Sequence, residues 1–173
     1  QMDVENYITA SYPDTVTTGA GTGYTFVNVP GISQTSGLEI ELNYLVSRYE
    51  IGLSYTRNDS DMPGQTPGLG SWQFLPEETV SLRVAGNFYD DKLTVGAEYN
   101  YVSGGVFSGQ YNMFPETRDS YDLVDIFAIY EPTENVTLSA KVSNLFDTAY
   151  EPWLNDGNNG PGRNVYVGAE IRY

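Results

Sequence analysis

The chain has 173 residues, 40% of them hydrophobic and 14% aromatic, with 8 Lys plus Arg, 23 Asp plus Glu, no Cys, no His and a formal net charge of -15. These counts exclude a disulfide scaffold, a thiol nucleophile, a Cys/His zinc site and any catalytic triad that contains histidine. They also argue against nucleic acid as a partner, because phosphate neutralisation needs a basic face, and 15 Tyr, 7 Phe and 2 Trp are far from the aromatic-poor profile of a disordered chain.

No signal peptide or transmembrane helix can be read. Gln1-Met2-Asp3-Val4-Glu5 has neither a basic nor an apolar region. Nowhere does an apolar run reach the roughly 18 residues that a spanning helix needs. A membrane could be crossed only by strands, whose signature is segments of roughly ten residues alternating apolar and polar, with short turns at one end and long loops at the other.

In chain order, a first strand is expected near residues 3 to 12, followed by a long connection over 13 to 24. Residues 38 to 46 alternate, with Leu38, Ile40, Leu42, Tyr44 and Val46 against Glu39, Glu41 and Asn43. A turn at Ser47-Arg48 leads into Tyr49, Ile51, Leu53 and Tyr55, and a long loop covers 59 to 75. Val80, Leu82, Val84 and Phe88 form the next apolar face, and a turn at Asp90-Asp91 leads to Leu93, Val95, Ala97, Tyr99 and Tyr101. After a loop over 104 to 119 come a less regular strand over 121 to 131, a turn at Pro132-Thr133-Glu134 and a strand over 135 to 146. A loop over 147 to 163 precedes the terminal strand, whose Val165, Val167, Ala169, Ile171 and Tyr173 oppose Asn164, Tyr166, Gly168, Glu170 and Arg172.

About eight strands result, and every short turn falls at one end of an up-and-down meander. A soluble Greek-key sandwich would not sort its loops in this way. Tyr44, Phe88, Tyr130 and Tyr173 lie on the apolar face near the short turns, and Tyr55, Tyr99 and Tyr101 toward the long loops. Two aromatic girdles of a membrane barrel account for this placement; the general preference of Tyr for strands and cross-strand pairs is the alternative. In a membrane barrel Leu38, Ile40, Leu42, Val80, Leu82, Val84, Leu93, Val95, Val165 and Ile171 would face lipid. Glu39, Glu41, Arg83, Glu98, Lys141, Glu170 and Arg172 would face the lumen.

The last third of the chain carries a specific resemblance. Val142-Ser143-Asn144-Leu145-Phe146-Asp147-Thr148-Ala149-Tyr150, then a polar loop, Pro161-Gly162-Arg163-Asn164 and a strand ending in an aromatic residue, closely resemble the C-terminus of TonB-dependent outer-membrane receptors. Phe26-Val27-Asn28-Val29 followed by Gly37-Leu38-Glu39-Ile40-Glu41 looks like that family's long strand. The resemblance implies an all-β, antiparallel up-and-down transmembrane β-barrel. Residues 1 to 173 would be its C-terminal segment, part of a barrel of about 22 strands, with the plug domain and coupling box lying elsewhere.

The implied function is binding of a scarce nutrient (a ferric siderophore, haem, cobalamin or similar) in extracellular loops and import with TonB-coupled energy. The implied partners are outer-membrane lipid and lipopolysaccharide, the remaining strands and plug, the TonB complex and the small-molecule nutrient. No cofactor, metal or catalytic residue is implied, and the protein is expected not to be an enzyme. Ligand contacts are expected from the loop aromatics Trp72, Phe74, Phe107, Tyr111, Phe114, Tyr150 and Trp153. The alternative for each is packing of loop against loop.

Asn144 and Asp147 read as turn formers that bond their own backbone, and Arg163 as a fork of donors to nearby carbonyls and carboxylates. Gly19-Ala20-Gly21-Thr22-Gly23 and Gly104-Gly105 read as loop rather than phosphate cradles. Asn155-Asp156-Gly157-Asn158-Asn159-Gly160 reads as turns rather than a calcium loop. The second reading of the whole chain is a complete eight-stranded outer-membrane barrel with a structural or adhesive role. An N-terminus that runs directly into a strand favours the larger barrel. So do Glu39, Glu41, Glu98 and Asp125, which would be poorly matched by cations inside a narrow one. The terminal strand is therefore expected to pair with 135 to 146 on one side and with a strand outside this chain on the other.

Overall fold

A computed structural model describes residues 1–6, 8–11, 25–28, 31–60, 75–107, 116–153 and 158–173. Its strands are β1 (Met2–Glu5), β2 (Ile8–Ser11), β3 (Thr25–Asn28), β4 (Ile32–Val46), β5 (Tyr49–Ser60), β6 (Glu78–Phe88), β7 (Leu93–Val102), β8 (Gly105–Phe107), β9 (Glu116–Arg118), β10 (Tyr121–Thr133), β11 (Val136–Ser143) and β12 (Asn164–Ile171). Eight of them form one antiparallel sheet in the order β1-β4-β5-β6-β7-β10-β11-β12, while β2 with β3 and β8 with β9 make separate pairs. The eight-stranded meander expected from periodicity is present, and the sheet is open: β1 is hydrogen-bonded to β4 and β12 to β11.

The expected first strand over 3 to 12 is two pieces. Asn6, at φ 49°, and Gly31, at φ 107°, interrupt the antiparallel pairing, and the Asn6 amide donates to the Gly31 carbonyl at 3.0 Å. For the same reason Phe26-Val27-Asn28 stands on β3, apart from the long strand that carries Gly37 to Glu41. A glycine takes this backbone conformation without steric cost.

The short connections fall close to expectation. Val46 pairs with Tyr49 across Ser47-Arg48, with Ser47 at φ 55°. Between Phe88 and Leu93 the turn spans four residues rather than two, and Tyr89, Asp90 and Asp91 all take positive φ. Strand β10 extends through Pro132 and Thr133, so the turn is Glu134-Asn135. A register shift between Tyr130 and Thr133 accommodates Pro132, which has no amide to give to the ladder. Strand β11 ends at Ser143, not at 146, because Asn144 enters the left-handed region at φ 50°.

Register places one apolar row across seven strands: Tyr44, Ile51, Val84, Ala97, Ile126, Val142 and Val165. Adjacent rows on the opposite face hold Arg83, Glu98 and Asp125, and Ala85, Gly96, Phe127, Lys141 and Tyr166. Apolar side chains of the first face stand open, Leu42 at 50% and Val165 at 68% exposure, while the ion-paired side chains of Glu98 and Asp125 on the second are 28% and 17% exposed. A soluble sheet would show the reverse. Tyr49 and Phe88 meet edge to face at 6.4 Å by the short turns, with the Arg48 guanidinium 5.7 Å from the Phe88 ring. Tyr55 and Tyr101 share the Val80 row at the long-loop end.

Candidate functional site at the wall and the long-loop end

The polar face carries a charge network that the register assembles from four strands. Arg83 on β6 pairs with Glu98 on β7, and its guanidinium stacks 4.3 Å from the centre of the Phe127 ring on β10. Lys141 Nζ on β11 lies 3.7 Å from Glu98 Oε2 and 2.8 Å from Asp125 Oδ2 on β10. Phe127 reaches Arg83 because Gly96 lies beneath its ring. A Cβ at Gly96 would strike that ring and come within 2.8 Å of the Val84 carbonyl.

The network corrects one expectation: Glu98 and Asp125 are matched by cations. Arg83 faces Glu98 across β6 and β7, and Lys141, opposite Phe127, reaches Asp125 and Glu98 diagonally, which a chain-order count of charges cannot register. Glu39 and Glu41 meet no ion-pair partner among the described residues, which include all eight Lys and Arg. Glu41 accepts instead from Asn43 Nδ2 at 3.2 Å.

Above the network, Asn144 ties loop 147 to 163 to the sheet. It is 4% exposed. Its Nδ2 donates to the carbonyls of Thr148 at 2.9 Å and Pro161 at 3.2 Å, and its Oδ1 accepts from the Thr148 amide at 2.8 Å. Asp147 Oδ1 accepts from the Arg163 amide at 2.7 Å, and Arg163 Nη1 donates to the Leu145 carbonyl at 3.4 Å. Asn144 is therefore the turn former expected, whereas the Asp147 carboxylate bonds across the loop to Arg163 rather than to its own backbone, and Arg163 donates to a carbonyl. The two motifs of the sequence, Asn144-Leu145-Phe146-Asp147 and Pro161-Gly162-Arg163, are two halves of one clasp.

Two of the seven loop aromatics have described side chains. Tyr150 packs on Tyr121, with ring centres 4.7 Å apart, and its ring covers Gly160, whose amide donates to the Tyr150 carbonyl at 2.8 Å. Burial, followed by the nearby Asp125 carboxylate, raises the Tyr150 phenol above its ordinary pKa. Trp153 is 5% exposed, with its indole against Gly105. Phe107 lies on β8 opposite Glu116. Trp72, Phe74, Tyr111 and Phe114 lie outside the described residues, as do all of 13 to 24, most of 59 to 75 and residues 154 to 157.

Sequence reasoning passed over Arg118 and Tyr121. Buried Arg118 donates through Nη1 to the Pro152 carbonyl at 2.6 Å and the Trp153 carbonyl at 3.3 Å, with Nε 3.7 Å from Glu151. These groups border a recess of about 310 Å³ lined by Arg118, Asp119, Tyr121, Tyr150, Glu151 and Asn159. The available signal was Arg118 itself, the one cation in loop 104 to 119.

Comparison with known proteins decides the family. The family model described as "TonB dependent receptor-like, beta-barrel" matches residues 1–145. The chain belongs to the TonB-dependent receptor family. A probable TonB-dependent receptor of Haemophilus influenzae is 25% identical over 180 residues, covering 80% of this chain and 20% of that protein. The vitamin B12 transporter BtuB of Vibrio vulnificus is 26% identical over 163 residues, covering 92% of this chain and 25% of the transporter. Among solved structures, the FrpB iron transporter of Neisseria meningitidis superposes with a TM-score of 0.68 at 20% identity, over 98% of this chain and 26% of FrpB. The chain thus spans about a fifth to a quarter of the length of these relatives. Its eight-stranded sheet is part of a TonB-dependent receptor barrel. The family's members are receptors and transporters rather than enzymes.

Proposed function

We propose that residues 1 to 173 form the C-terminal barrel segment of a longer receptor in the Gram-negative outer membrane. That receptor takes a ferric siderophore, haem or a similar scarce nutrient in its extracellular loops and imports it with energy from the TonB complex. The carrying observation is the division of the two sheet faces: exposed apolar rows on one side, and the Arg83–Glu98–Lys141–Asp125 network on the other. Lipid suits the first face and a hydrated or protein-filled lumen the second. Relatives named as a vitamin B12 transporter, a heme receptor and a ferripyoverdine receptor support nutrient uptake. Because they name different nutrients, the cargo is stated as a class.

On this reading lipid and the lipopolysaccharide leaflet surround the apolar rows between the girdles, and a plug domain covers the polar face. Leu45 and Tyr166, on that face at 71% and 57% exposure, suit cover by further protein, as do the carboxylates of Glu39 and Glu41. Tyr150, with the recess beside it, forms part of the ligand mouth, and Trp153 packs behind it; Trp72 and Phe74 belong to loop 59 to 75, and Phe107, Tyr111 and Phe114 to loop 104 to 119. The alternative of a closed eight-stranded barrel with a structural or adhesive role needs β1 hydrogen-bonded along β12. The observed strand order, with β1 and β12 at opposite ends of the sheet, favours the larger barrel.

The test is uptake of labelled ferric siderophores, haem and cobalamin by Gram-negative cells that carry the intact receptor and lack their own. Uptake of one cargo class, dependent on the inner-membrane energy complex, is expected. Deleting any of loops 59 to 75, 104 to 119 or 147 to 163 should reduce it while the barrel stays in the membrane. Undiminished uptake after all three deletions would remove the binding role from this segment.

A further inference from the structure

The polar-face network and the loop clasp meet at one carboxylate. Asn144 lies just past the end of β11: the next amide, Leu145, donates to the Val124 carbonyl at 2.7 Å, whereas the Asn144 amide donates to a side chain. A covered amide beyond the end of the ladder needs an acceptor there. Asp125 supplies it, taking the Asn144 amide on Oδ1 at 2.9 Å while Oδ2 holds Lys141 at 2.8 Å. The Ser143 hydroxyl also faces this carboxylate. From Asn144 the bonds continue to Thr148 at the start of loop 147 to 163 and to Pro161 at its end.

We propose that Asp125 is a positioning residue for the ligand mouth. Through Asn144 it holds both ends of loop 147 to 163 to the charged wall, so that Tyr150 is presented as a fixed wall of the mouth. Each side of the junction uses a different oxygen, so the amide contact and the ion pair can be separated by substitution. Asp125→Asn keeps an acceptor for the Asn144 amide and weakens the hold on Lys141, which retains Glu98. Asp125→Glu keeps the charge for Lys141 but moves the acceptor by one methylene. Asp125→Ala removes both.

The proposal rests on the preceding reading only where it names the loop as part of a ligand mouth. Its test therefore reads loop posture and not uptake. A nitroxide is placed on Ala149→Cys, an exposed loop position, in the intact receptor in outer membranes, with a second label on Ala140→Cys of β11 as control. The expected result is a several-fold gain in mobility of the loop label in Asp125→Ala and Asp125→Glu, parent-like spectra in Asp125→Asn, and an unchanged control label in all three. If Asp125→Ala does not assemble, the Glu and Asn pair carries the comparison. Three results would overturn the proposal: no change at Ala149 in any variant, loosening in Asp125→Asn equal to that in Asp125→Glu, or mobility that rises at Ala140 as much as at Ala149. The last would make Asp125 a residue of general barrel stability.

Discussion

Replacing Asn144 by Ala tests the clasp most directly. The side chain makes three hydrogen bonds, two donated from Nδ2 and one accepted at Oδ1, and at 4% exposure water does not freely replace them. At roughly 1 kcal/mol net for each bond the loss is about 3 kcal/mol. A left-handed backbone adds about 1 kcal/mol for Ala relative to Asn, and Asn144 has φ 50°. The change should be local, because the Asn144 bonds close the loop and the β10–β11 ladder lies below them.

Opening of the clasp is read at the Arg163 amide, whose acceptor Asp147 Oδ1 is untouched by the substitution. Hydrogen exchange of that amide in the intact receptor should accelerate by at least about 100-fold in Asn144→Ala, taking roughly 1.4 kcal/mol per decade. Asn144→Gly loses the same three bonds but tolerates the left-handed backbone, so it should exchange roughly fivefold more slowly than the Ala variant. Exchange in Asn144→Ala within twofold of the parent, or faster exchange in Gly than in Ala, would refute the reasoning.

Gly96→Ala should push Phe127 off its seat and separate it from Arg83, destabilising the wall by about 1 to 3 kcal/mol; in a Phe127→Ala background the further cost, read by thermal melting of the folded band on gels, should shrink, and undiminished cost would show that the ring is not the obstacle. Val84→Arg should impair membrane assembly by an amount on the order of 2 to 4 kcal/mol, since Val84 lies in the middle apolar row; Ser81→Arg, on the opposite face, should assemble, and equal amounts of folded barrel for both would contradict the face assignment. The raised pKa of Tyr150 means that its packing against Tyr121 is fully present below the ordinary tyrosine pKa and is lost as pH rises through the folded value. Exchange of the Gly160 amide should accelerate through that alkaline window, and an equal acceleration in Tyr150→Phe would exclude Tyr150 as the cause.

The chain order of residues by itself determined the eight-stranded meander, the sorting of short turns from long loops and the two faces, because a side-chain period of two is a local property of each strand. Residue type marked Asn144 and Asp147 as turn formers, and the resemblance to the family's C-terminus marked Arg163 with them. Four of its element edges moved for local reasons that compete with periodicity: Asn6 and Gly31 break the first pairing, Pro132 sits in a bulge rather than a turn, Tyr89 joins a longer turn, and Asn144 ends β11 early. Only the tertiary structure decided which charges meet. Arg83, Glu98, Asp125 and Lys141 come from four strands, and a shift of one residue in any register would carry its charge to the other face. The same holds for the mouth, where Arg118, Tyr121 and Tyr150 converge from segments separated by a complete hairpin. The alternation in a sequence tells each strand which side to turn; the hydrogen-bonded register between strands alone determines which residue stands opposite.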